Sequence, residues 1–186
     1  MRLTALLAVP LFAGGLTGST ALSSKPVISQ PAPASQCHVD EAVVYSCRFG
    51  RSLGSVCGTA HALHYRFGPA GKPALDLSSE PDWSNVRVGQ VRGQGSGGYQ
   101  EHVRFTNGNT HYIVYRGQNG ELADNPGYTY SGISVQAGHD GERTLASLSC
   151  KGKMMAADSL ADAAGVRAPA DLDIAEAEGG AFDGWF

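Results

Sequence analysis

Basic clusters, closely spaced cysteine pairs, paired carboxylates and apolar runs of bilayer length are all missing from this 186-residue chain. The formal net charge is only −3, and Lys and Arg do not gather into the footprint that nucleic-acid binding needs. The longest mostly apolar run, Leu3 to Leu16, falls short of the roughly 20 residues that cross a bilayer, and Gly and Pro interrupt it. The mature chain is therefore expected to have no membrane span. The spacings of Cys37, Cys47, Cys57 and Cys150 lack the close C-x₂₋₄-C pairs of structural zinc sites. No stretch between Cys37 and Cys150 reads as a convincing helix, so α-helical architectures are set aside.

What is present begins with an export signal. Arg2, the apolar run and the small residues Ser19-Thr20-Ala21 predict a signal peptide over 1–21, cleaved after Ala21. No Cys stands near the cleavage point, so no lipid attachment is expected. The mature chain is placed in the periplasm or outside the cell. Residues 22–36, rich in Pro, Ser and Ala, read as an extended, disordered linker. An even cysteine number behind a signal peptide reads as a disulfide framework. Cys47 with Cys150 would join the two ends of the domain, leaving Cys37 with Cys57. The alternative, Cys47 with Cys57, would staple the first hairpin.

From 37 to 153 short apolar runs alternate with turn signals. Leu63, Tyr65 and Phe67 alternate with His64 and Arg66, the period of a half-buried strand. Asn107-Gly108 predicts a two-residue turn between two strands spanning Tyr99 to Arg116. That register sets Val103 opposite Tyr112 and Arg104 opposite His111, with His102 and His111 as diagonal neighbours. A second hairpin turns at Asp140-Gly141. The expectation is an all-β fold: an antiparallel barrel or sandwich of about eight strands, braced by disulfides.

Charge is divided along the chain. Between Cys37 and Lys153 there are 11 Lys and Arg against 10 Asp and Glu, whereas Ala156 to Phe186 carries one Arg against seven acids. Composition predicts that 154–186 is an acidic, disordered tail, with a possible short helix near Ser159 to Ala164. Its aromatic end, Phe182, Trp185 and Phe186, is a possible docking peptide.

Three motifs invite chemistry. Gly93 to Gly98 formally matches G-x-G-x-x-G, but that motif must open a helix to present N–H groups to a pyrophosphate, and a strand pattern follows here. Ser96 lacks the G-x-S-x-G frame of a nucleophile elbow, because Gln94 replaces the first Gly. His102 and His111 would share a strand face, raising an alternative reading as a metal-binding or hydrolytic protein. Arg104 opposite His111 argues against a cation there. No cofactor is expected.

The pieces Val44-Tyr45-Ser46-Cys47, Ser55-Val56-Cys57, Tyr65-Arg66-Phe67-Gly68, Val103 to Gly108, Tyr112 to Tyr115 and Leu145 to Cys150 carry a resemblance. Together they resemble an uncharacterised family of small exported bacterial β proteins, which implies export and a sheet domain but brings no activity. More loosely, the layout is similar to the envelope inhibitors of c-type lysozyme. Tyr45-Ser46-Cys47 matches their opening strand, and Cys150 their closing one. Ser96-Gly97-Gly98-Tyr99 is one residue short of their Ser-Gly-x-x-Tyr loop, and Tyr115-Arg116-Gly117 replaces their aromatic-x-Lys-Gly. The resemblance implies a secreted, non-enzymatic protein that binds a protein or cell-envelope partner. The candidate contacts are Ser96, Tyr99, Arg104 and Arg116, with Arg116 meeting carboxylates in the partner's cleft.

Overall fold

The computed structural model describes residues 35–93 and 96–186. The expected signal peptide and linker residues 22–34 lie outside the described residues. Four strands come first: β1 (Ala42–Phe49), β2 (Ser52–Gly58), β3 (Leu63–Pro69) and β4 (Leu75–Ser78). Then follow β5 (Val86–Arg92), β6 (Tyr99–Asn107), β7 (Thr110–Gln118), β8 (Thr129–Ala137) and β9 (Arg143–Ser149). A two-residue β10 (Met155–Ala156) and α1 (Leu160–Gly165) complete the order.

The strands form two antiparallel five-stranded sheets, ordered β10-β1-β2-β3-β4 and β5-β6-β7-β8-β9. No ladder joins one sheet to the other, so the architecture is a sandwich rather than a closed barrel. Among the described residues there are ten strands instead of about eight, the additions being β2 and β10. β2 shows no alternation because both of its faces are buried.

The core lies between the inner faces. Tyr45, Val56 and Tyr65 from the first sheet meet Val86, Val103, Phe105, Val114 and Ile133 from the second. Tyr65 stacks on Phe105 with ring centroids 5.8 Å apart. Trp83, in the crossing between sheets, is buried in this cluster although its φ is +55°, a left-handed value unusual for a bulky residue.

The Tyr99–Arg116 hairpin forms, but in another register. Val103 pairs with Val114, Arg104 with Ile113, and Thr106 with His111. The turn residues are Gly108 and Asn109, and only Gly108 has positive φ (58°), as in a type II′ turn. The shift moves every pairing by two residues. Because strand faces repeat with period two, each side chain keeps its face and only its cross-strand neighbour changes.

Cys37 is bonded to Cys57, and Cys47 to Cys150, with Cα separations of 5.3 and 5.7 Å. The second bond ties β1 to the end of β9, where Lys151 N–H also donates to Arg48 O (2.9 Å). Disulfides suit an oxidising extracellular or periplasmic setting. Among the described residues no helix is long and apolar enough to cross a membrane.

The described end of the linker and much of the tail depart from the expected disorder. Gln36, assigned to the linker, is buried, and its amide donates to Gly68 O and Pro69 O. Glu41 takes a two-pronged bond from Arg66 on the outer face of the first sheet, and Arg66 Nε reaches Asp76 at 2.9 Å. The segment 154–186 is likewise attached, at separate points along its length. Leu160, Ala164 and Ile174 join the core, because a few well-spaced apolar residues suffice once a preformed sheet accepts them.

Ser159 caps α1 by accepting from Asp162 N–H, and donates to the buried Glu101 carboxylate (3.1 Å). Ser159→Ala is expected to lower stability by about 1–2 kcal/mol, read from urea denaturation, since it removes a cap and one bond to a buried charge. A loss within error would mean that neither bond matters.

Candidate functional site

The four candidate contact residues do not form one site. Ser96 and Tyr99 lie where the β5–β6 connection meets the 119–128 loop, and Glu121 N–H donates to Ser96 O (2.6 Å). A Cβ on Gly98 would stand 2.6 Å from Gly120 N, so the two backbones touch only because glycine is present. The Ser96 hydroxyl packs against Gly93 and Gly120. Among the described residues of this loop, Gly97 is the exposed one.

Arg116 faces the inner side of its sheet. Its Nε donates to Glu101 (2.5 Å) and its Nη2 to the Asp158 carbonyl. Glu101 is 1% exposed, so this pair stabilises the domain's interior and offers little charge to a partner. Arg104 lies on the opposite face, five residues along β6 from Tyr99, about 17 Å at the usual strand rise.

The outer face of the second sheet carries an unexpected organisation. Gly89, His102, Tyr115 and Gly132 form one row across β5, β6, β7 and β8. The glycines leave room for the rings to lie along the sheet. A Cβ on Gly89 would strike the His102 ring, and one on Gly132 would strike the Tyr115 phenol. In the next row Tyr130 lies across Gly117 in the same way. Gly132→Ala is expected to cost about 1–3 kcal/mol through overpacking, because the added methyl also meets the fixed Leu148 carbonyl. Unchanged thermal unfolding would contradict that packing.

The acidic segment expected to be disordered lies on this face. Glu176 accepts two bonds from Arg104, 2.7 Å at Nε and 3.1 Å at Nη2. His102 Nε2 stands 3.6 Å from Glu176 Oε1, beyond direct hydrogen bonding, and its influence there is electrostatic. Burial pushes the Glu176 carboxyl up. Arg104 and His102 outweigh that effect and hold it at about 2. Phe182 lies against His111 (centroids 4.6 Å apart) and under the Arg104 guanidinium at 4.2 Å. Phe186 meets His102 edge-on at 5.1 Å.

His102 and His111 do not share an ion site. The observed register puts the Arg104–Ile113 pair between them. His111 Nε2 contacts the Gly138 carbonyl (2.8 Å), which needs the proton on Nε2. Nδ1 is left to accept from Thr106 and Arg104, so neither nitrogen offers a free lone pair. Elsewhere Cys37, Cys57 and Glu41 come within ligating distance of one another. Those two sulfurs are bonded together and present no thiolate.

Beside Tyr115 an open groove of about 560 Å³ is lined by Tyr128, Tyr130, Ser131, Lys153 and Met154. It lies where β9 ends, so that Thr129 and Tyr130 of β8 pair with β7 on one side and have no strand on the other. Tyr128 is 62% exposed, and Leu122 of the neighbouring loop is 83% exposed. Burial raises the Tyr115 and Tyr130 phenols above the ordinary tyrosine value, so both remain neutral donors. Sequence reading missed this groove, whose tyrosines converge only through sheet pairing. Comparison with protein-family models, curated proteins and solved structures finds no match. The resemblances stated above rest on their motifs alone.

Proposed function

We propose that this protein is an exported, non-enzymatic binding module, with occlusion of a c-type lysozyme cleft as its most concrete form. The observation that carries the reading is the tyrosine groove, standing open beside the exposed Tyr128 and Leu122. Exposed aromatic and aliphatic side chains grouped around a concavity are typical of recognition surfaces. The charge relations differ from those expected of Arg116, which is already paired with Glu101. Lys153, exposed on the groove wall, is the cation that would face a glycosidase's two acids. Ser96, Gly97 and Tyr99 belong to the adjoining loop end and would form the rim of the contact.

The test is an assay of cell-wall lysis by a c-type lysozyme, with the oxidised protein in excess. Lysis is expected to slow, and Tyr128→Ala or Lys153→Ala to weaken the effect about tenfold or more. Undiminished lysis at large excess would remove the lysozyme form of the proposal.

A further inference from the structure

We infer that the outer face of the second sheet is a peptide-recognition surface, occupied in cis by Ile174–Phe186. An extended segment of another protein, bearing one carboxylate followed by two aromatic side chains, would take the same seat by displacing it. The inference goes beyond the groove and does not depend on the lysozyme assay.

The segment is held as a bound peptide is held. At its start it adds to the edge of β5: Val88 N–H donates to Ile174 O (2.8 Å), and Glu176 N–H donates to Val88 O (2.7 Å). This parallel bridge is strand addition, in which main-chain bonds give affinity and side-chain seats give specificity. At its end one side chain reads the backbone. The Gln100 amide donates to Gly184 O (3.1 Å) and accepts from Phe186 N–H (3.2 Å), contacts blind to side-chain identity. Specificity comes between these points, from the Arg104 fork on Glu176 and the Phe182 seat on Arg104 and His111.

The seat is built by the sheet itself. Gly89 and Gly132 let the His102 and Tyr115 rings lie flat, and Thr106 and the Gly138 carbonyl orient His111. The occupant has weaker support of its own. Residues 177–181 are mostly exposed, Trp185 is 52% exposed, and His102 Nε2 is buried beneath the segment without a hydrogen bond. An orphaned polar atom at a contact marks an imperfect match that another ligand can improve.

The experiment uses the full chain and, as probe, a labelled synthetic peptide of residues 172–186. Phe182→Ala with Phe186→Ala weakens the internal occupant while the chain stays intact. The doubly substituted protein is expected to bind the peptide about tenfold or more tightly than the wild type, since less of its seat is blocked. Adding Arg104→Gln to that variant is expected to abolish the gain. Equal binding by wild type and variant, or binding indifferent to Arg104, would overturn the inference. Should the variant not fold, the wild type is titrated with the peptide at about 1 mM, near the weak end of measurable affinity. Shifts of the Gln100 and His102 resonances are then expected, and their absence overturns it equally.

Discussion

Replacing Cys47 and Cys150 with serine is expected to lower unfolding free energy by about 4–5 kcal/mol, the entropic value for a closed loop of this size. The bond spans 103 residues, so its loss releases nearly the whole domain in the unfolded chain, whereas Cys37–Cys57 spans only 20. The native side adds a second reason. β1 and β9 belong to different sheets that share no ladder, and the Cys47–Cys150 bond fastens one to the other. Urea denaturation of the double variant should show the loss, with a smaller loss of about 3 kcal/mol for Cys37→Ser with Cys57→Ser. Similar losses for both pairs would contradict the loop-size argument.

The second large effect concerns acid. Burial pushes the Glu41 carboxyl up, but the Arg66 bonds, the His38 N–H and the nearby positive charges hold it at about 2. Glu176 is held at about 2 as well, both against an ordinary value of 4.5. A carboxyl lowered on folding contributes its full stabilisation above the unfolded value and loses it as pH falls toward the folded one. Screening by solvent reduces the full value of such shifts, so each group should lose stabilisation on the order of 1–3 kcal/mol between roughly pH 4.5 and pH 2. The two lie on the outer faces of different sheets and share no partner, so their effects should nearly add. Denaturation at pH 6 and pH 3 should show a steep fall in the wild type and a shallower one in Glu41→Gln and in Glu176→Gln. Parallel pH profiles for all three would sink the assignment.

These two carboxylates also show where sequence reasoning stops. Glu41 and Glu176 look alike in sequence: acids next to alanine, each with a second acid within two residues. Each becomes an anchor because a flanking segment folds back over a sheet whose outer face carries an arginine. Nothing local to either residue encodes that return. The tail reads as disordered because composition averages over 31 residues, from Ala156 to Phe186, while its attachment depends on Leu160, Ile174, Glu176, Phe182 and Phe186. Similarly, the metal reading of His102 and His111 required a register that differs from the real one by two residues, and period-two patterning is blind to that difference.

By itself, the sequence determined the class of this fold and most of its strands, because alternation and turn residues act locally and are written in neighbouring positions. It also marked the cysteines as a covalent frame. Only the tertiary structure decided between sandwich and barrel, selected the hairpin register, turned Arg116 inward and seated the acidic segment on His102, Arg104 and His111. Those outcomes depend on contacts between residues far apart in the chain, 86 positions for Gln100 with Phe186, whose energies exist only once the sheets are in place.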